Sequence, residues 1–163
     1  MPALKNLAVF FAMLVLVVFS AAAHAADDDA VKAGLKQLEG KWKINSCLKD
    51  GEELDAVVKL GIQFIFKSDS LEVKGDDPNF TPQQRWIKID PSTNPKLLDV
   101  AEKAEEFKNG DKVLEGLYTL DGDTLKWCFA MDGDQPAKGK RPGALESKAG
   151  NGVLLLTFKK VKE

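Results

Sequence analysis

Gly116-Leu117-Tyr118-Thr119-Leu120-Asp121-Gly122-Asp123-Thr124-Leu125-Lys126-Trp127-Cys128-Phe129-Ala130 is the stretch that decides the fold. Tyr118 and Leu120 on one side of the Asp-Gly pair, and Leu125, Trp127 and Phe129 on the other, occupy every second position. That is the period of a strand with one buried face. Asp121-Gly122 between the two runs predicts a tight hairpin, because a type I′ turn needs positive φ at both central residues and Asp and Gly tolerate it. Two antiparallel strands carrying rings on a common face follow from these fifteen residues.

The same alternation extends in both directions. It predicts strands at 41–48, 61–67, 70–74, 84–90, 96–101, 113–120, 123–130 and 153–160, with Phe64 and Phe66 sharing the inward parity of Tyr118, Trp127 and Phe129. Before them, 30–39 places Val31, Leu35 and Leu38 on one helical face, with Asp29 as N-cap and Gly40 as the stop. The fold class is mainly β: an eight-stranded antiparallel barrel plugged by one short N-terminal helix, since closure leaves no exposed edge. An open β-sandwich is the alternative. Two connections, 75–83 and 132–152, are rich in Gly, Pro, Asp and Asn, and long loops of this kind are often functional.

Ahead of the helix, Lys5 precedes an apolar run at 7–19 and the small-x-small triplet Ala23-His24-Ala25, the pattern of a cleavable export signal. Residues 1–25 are read as that signal and 26–163 as one domain, exported to the periplasm or secreted. Retention of the run as a membrane anchor is the other option, and the only one that ties the chain to a membrane. Cleavage removes His24, the one histidine, leaving no imidazole for acid–base chemistry, metal ligation or pH sensing.

The 23 basic and 25 acidic residues are interspersed, with no basic block, and arginine occurs only at Arg85 and Arg141. Nucleic-acid binding is therefore not expected. Asp121-Gly122-Asp123 and Asp132-Gly133-Asp134 lack the spaced oxygen donors of a calcium loop and read as turns, so no metal site is expected. No Gly-x-Ser-x-Gly elbow or phosphate-cradling glycine run is present. Cys128 has no histidine to activate it. The sequence gives no sign of an enzyme and needs no cofactor. A hydrolase working through carboxylates alone is the one catalytic alternative.

Gly40-Lys41-Trp42, the 116–130 hairpin, Arg141-Pro142 and the closing strand Val153-Leu154-Leu155-Leu156-Thr157-Phe158-Lys159-Lys160 together resemble the planctomycete-type lipocalin-like domain, a family of small exported bacterial proteins. The resemblance spans about residues 36–161 and implies a calycin-type barrel with Trp42 closing its base. Lipocalins proper stack an arginine on that tryptophan, where this chain has Lys159 and Lys160, which cannot stack as a planar guanidinium does. An aromatic usually follows Arg-Pro in the family, where this chain has Leu145.

A barrel of eight strands either fills with side chains or holds one small ligand. Trp42, Phe64, Phe66, Tyr118, Trp127 and Phe129 are the candidate lining for a small apolar or amphipathic molecule. Arg141, on the long loop over the mouth, is the candidate for an acidic head group. The rival reading is a protein-interaction or inhibitor module acting through loops 75–83 and 132–152 on an envelope or secreted partner. Cys47 and Cys128 form a disulfide or stay as free buried thiols. If the strands run up and down in order, the last strand separates the two, and two interstrand steps of about 4.8 Å exceed the roughly 4.4–6.8 Å between bridged Cα atoms.

Overall fold

Eight strands form where the sequence alternates with period two. They are β1 (Gly40–Lys49), β2 (Gln63–Lys67), β3 (Ser70–Lys74), β4 (Gln83–Asp90), β5 (Lys96–Ala101), β6 (Leu114–Asp121), β7 (Thr124–Asp132) and β8 (Val153–Lys160). The structure, a computed structural model, describes residues 19–110 and 112–162, with side chains from residue 28 onward. The apolar run of the export reading lies, but for Phe19, outside the described residues. Each strand pairs antiparallel with the next, and β8 pairs with both β7 and β1. Leu156 accordingly faces Trp127 on one side and Cys47 on the other, so the sheet is a closed barrel and not a sandwich. Two-residue strands at Glu52–Glu53 and Gln135–Pro136 extend the ends of β1 and β7.

The interior is built by one parity per strand. Trp42 and Ile44 of β1, Phe64 and Phe66 of β2, Ile87 and Ile89 of β4, Leu98 and Val100 of β5, Tyr118 of β6, Leu125, Trp127 and Phe129 of β7, and Leu156 and Phe158 of β8 form one cluster. Strand β1 would lose this phase after Ile44 were it regular. A register shift between Ile44 and Ser46 inserts one residue and returns Cys47 to the inside.

The helix α1 spans Phe19–Leu38. Asp29 lies inside it and is not its N-cap, because the alanine-rich segment before it has the highest helix propensity of any residue type and carries the helix on. Its end matches expectation: Val31, Leu35 and Leu38 pack on the barrel core, and Gly40, with φ 118°, turns the chain into β1. Trp42 Nε1 donates to Leu38 O at 2.7 Å, satisfying one of the last helical carbonyls at the barrel floor. Lys160 Nζ sits 5.0 Å from the centre of the Trp42 ring, so a point cation covers the tryptophan where lipocalins use a guanidinium plane.

Turn chemistry departs from the reading of the hairpin. Asp121 pairs with Thr124, so Gly122 and Asp123 are the central residues, and only Gly122 has positive φ, at 53°. That is the sign pattern of a type II′ turn, which asks for glycine first. The Asp-Gly pair with both φ positive is Asp50-Gly51, at 52° and 83°, between β1 and Glu52–Glu53. A second helix, α2 (Asp55–Lys59), follows it in a segment with no helical period, held by Val57 and Val58 packing on the core.

Candidate ligand cavity

Where α1 enters, the barrel is solid. Leu38, Trp42, Phe66, Tyr118, Leu125 and Phe158 are at most 2% exposed. The other half is hollow. A cavity of about 460 Å³ opens there, walled by Ile44, Cys47, Phe64, Leu71, Val73, Val100, Trp127, Phe129, Leu154 and Leu156. Its mouth is framed by Val57 of α2, by Phe80 of the 75–82 loop, and by Gln83 and Arg85 at the start of β4. The ring of Phe64 packs 4.8 Å from Phe158 and 6.0 Å from Trp127, and so forms part of the cavity's floor.

Trp127 is held by its own hydrogen bond. Its Nε1 donates to Leu98 O at 3.1 Å, across the inward position of Gly116 on β6. A Cβ on Gly116 would collide with Nε1 itself and lie 2.7 Å from Cys128 O and 2.8 Å from Leu98 O. The absence of a side chain there is what lets the indole lie flat along the wall.

The candidate residues divide accordingly. Phe64, Trp127 and Phe129 line the cavity; Trp42, Phe66 and Tyr118 belong to the packed half and do not. Arg141 does not rise over the mouth of the barrel and does not line this cavity. Its guanidinium grips Asp99 on the outward face of β5, Nη1 to Oδ1 at 2.7 Å and Nη2 to Oδ2 at 2.9 Å, and Nη1 also donates to Gly116 O at 2.6 Å. The physical reason is parity: Leu98 and Val100 point inward, so Asp99 between them points out. The cation that faces the cavity is Arg85, two residues before Ile87 and four before Ile89 on the same inward parity, a position that counting along β4 identifies.

Arg141 belongs to a strap and not to a free loop. From Ala137 to Asn151 the chain lies along the outer wall, with Gly139 N donating to Val113 O, Gly51 N to Ser147 Oγ, and Ser147 Oγ to Val153 O. Beneath it Leu145 joins Leu97, Leu117, Cys128, Val153 and Leu155 in a second apolar cluster outside the barrel. Cys128 is fully buried under the strap with its Sγ 3.6 Å from Ala144 O, whereas Cys47 is on the opposite face of the wall. Both thiols are free.

Burial dominates the titration of this region. It raises the Cys47 thiol, pushes Cys128 up to about 11, and with the nearby Asp90 charge pushes Tyr118 up to about 12. All three are neutral at pH 7, and neither sulfur is a nucleophile there. Among the described residues no three His, Cys, Asp or Glu side chains converge as a metal site. No described helix is long and apolar enough to cross a membrane.

No family model and no curated protein matches the chain. Among solved structures it is similar to a DUF4909 family protein from Staphylococcus aureus subsp. aureus Mu50, with 12% identity, a TM-score of 0.37, and coverage of 76% of this chain and 96% of that one.

Proposed function

We propose that this protein is a non-enzymatic barrel that binds a small apolar or amphipathic molecule in the open half of its interior, and that it does so after export. The observation that carries the reading is the 460 Å³ cavity with aromatic and aliphatic walls. Its size falls in the range of about 300–1,000 Å³ typical of small-molecule sites, and such sites are usually apolar with a few polar groups at one end. The division of the barrel supports it as well, because the packed half supplies a rigid frame while the hollow half leaves Phe64, Trp127 and Phe129 with contacts still to make. The export half of the reading rests on the apolar run at 7–19 and on Ala23-His24-Ala25, and the kinship on the resemblance to the planctomycete-type lipocalin-like domain.

A neutral apolar dye, N-phenylnaphthylamine, tests it. The full chain is expected to bind the dye with energy transfer from Trp127, and Val100→Phe, which fills the cavity, is expected to abolish binding while the chain stays folded. Dye fluorescence that is flat in the unmodified protein, or indifferent to the filled cavity, overturns the proposal.

A further inference from the structure

We propose that the cavity selects single-chain amphiphiles with one anionic head, an acyl carboxylate or an alkyl phosphate, and that Arg85 is the head-group partner; this rests on the cavity being a ligand site. Among the described residues Arg85 is the one charged side chain in the lining, and Gln83 stands beside it. Everything deeper, from Leu71 and Val100 to Leu156, is apolar but for the Cys47 thiol. A site polar at one end and greasy at the other fits a ligand built the same way.

The state of the guanidinium gives the sign of the head. Arg85 Nη1 donates to Gln84 O at 2.9 Å and Nη2 to Gln83 Oε1 at 2.7 Å. Both acceptors are neutral. Among the described residues no carboxylate stands within ion-pair distance of Arg85. The acid whose charge it most visibly influences, Glu102, is already bonded by Lys138 Nζ at 3.2 Å. Two of the five N–H donors of the fork are in use and the rest are open to an oxyanion. Arg141 shows the alternative in the same molecule: its fork is closed by both oxygens of Asp99. A guanidinium with no carboxylate in ion-pair distance, at the mouth of an apolar cavity, favours an anion, because a charge-assisted bidentate pair is stronger than a bond to a neutral acceptor. It repels a cation by its charge.

The packed half sets the other dimension. Phe64 and Phe158 in ring contact close the cavity from below, so the tail ends within the open half, and 460 Å³ suits one alkyl chain and not a diacyl lipid.

Displacement of N-phenylnaphthylamine from the full chain by dodecanoate, dodecyl phosphate, dodecanol and dodecyltrimethylammonium tests this. The two anions are expected to compete about tenfold better than the alcohol, as one charge-assisted pair allows, with the cation weakest. Arg85→Met is expected to erase the gap between anion and alcohol, each competitor being scaled to the dye affinity of the same variant, and Arg85→Lys to restore part of it. The ranking of carboxylate against phosphate distinguishes the two head groups. Equal competition by anion and alcohol, or a preference that survives in Arg85→Met, overturns the inference and leaves the cavity as a site for neutral ligands. Failure of the dye itself to bind overturns cavity and head group together.

Discussion

At Gly116 a missing side chain controls a ring. Alanine there would drive its methyl group into the Trp127 indole nitrogen and against two carbonyls, and backbone on either side leaves no room to yield. Gly116→Ala is expected to cost roughly 1–3 kcal/mol, the usual range for overpacking, and to shift Trp127 emission as its bond to Leu98 O breaks. Urea titration followed by fluorescence reads both; an unchanged spectrum would remove Gly116 from the site. Cys128 makes a different demand. In the unfolded chain its thiol titrates near the ordinary value of 9.0, and in the fold only near 11. Between those values the folded state holds the proton that the unfolded state has lost, so stability present in full below pH 9 drains away as pH rises. The loss approaches about 2–3 kcal/mol by pH 11, with Tyr118 adding to it above pH 10. Denaturation midpoints across pH 8 to 11 in the native chain and in Cys128→Ala should converge as the alkaline slope shrinks in the variant; parallel slopes would refute the assignment.

Among the elements, the strap over residues 137–151 behaves as part of the wall. Asp99 and Arg141 are 18% and 25% exposed, shielded enough that a bidentate pair contributes more than a surface ion pair does. Arg141→Gln leaves Asp99 half-buried with only the Gly116 N–H on its carboxylate, and Asp99→Asn leaves Arg141 with Gly116 O and a distant Glu115 at 3.9 Å, so either change is expected to cost about 2 kcal/mol. Either change should speed alkylation of Cys128, which the strap covers at Ala144, while leaving Cys47 as slow as before. Mass mapping of the modified cysteine decides it, and equal protection in both variants would mean that something else holds the strap down. This segment also marks what the sequence conceals. Strands β3, β5 and β8 coincide with the alternation residue for residue, because their register depends on which parity is buried. The strap has no period, and its anchors are backbone carbonyls and a carboxylate far away in sequence, so composition alone makes it look like a free loop. Helix α2 escapes for a related reason: Val57 and Val58 are poor helix formers, and packing overrides propensity there. Arg85 was legible through parity with Ile87 and Ile89, but the reach of a long loop made Arg141 the more conspicuous arginine.

Over the whole molecule, one barrel has two kinds of interior, and they should answer mutation in opposite ways. In the packed half, Phe158 and Leu125 are fully buried and Tyr118 nearly so, closed off by Trp42 and the end of α1, so deleted atoms leave a hole that dense surroundings fill only in part. Phe158→Ala is expected to cost about 3–5 kcal/mol. In the hollow half the ordinary rule against overpacking fails, since Val100→Phe adds a ring to space that is already open and gives Leu114, Trp127 and Leu156 contacts they lack. That variant should be neutral or more stable than the native chain while losing the apolar dye, the exchange of stability for function expected where a site is left deliberately unfilled. The comparison requires both variants, because a barrel packed throughout would lose stability from either substitution. Thermal unfolding of the pair, beside dye binding, separates the two cases: a destabilised Val100→Phe would mean that the open half closes in solution, and the ligand site would close with it.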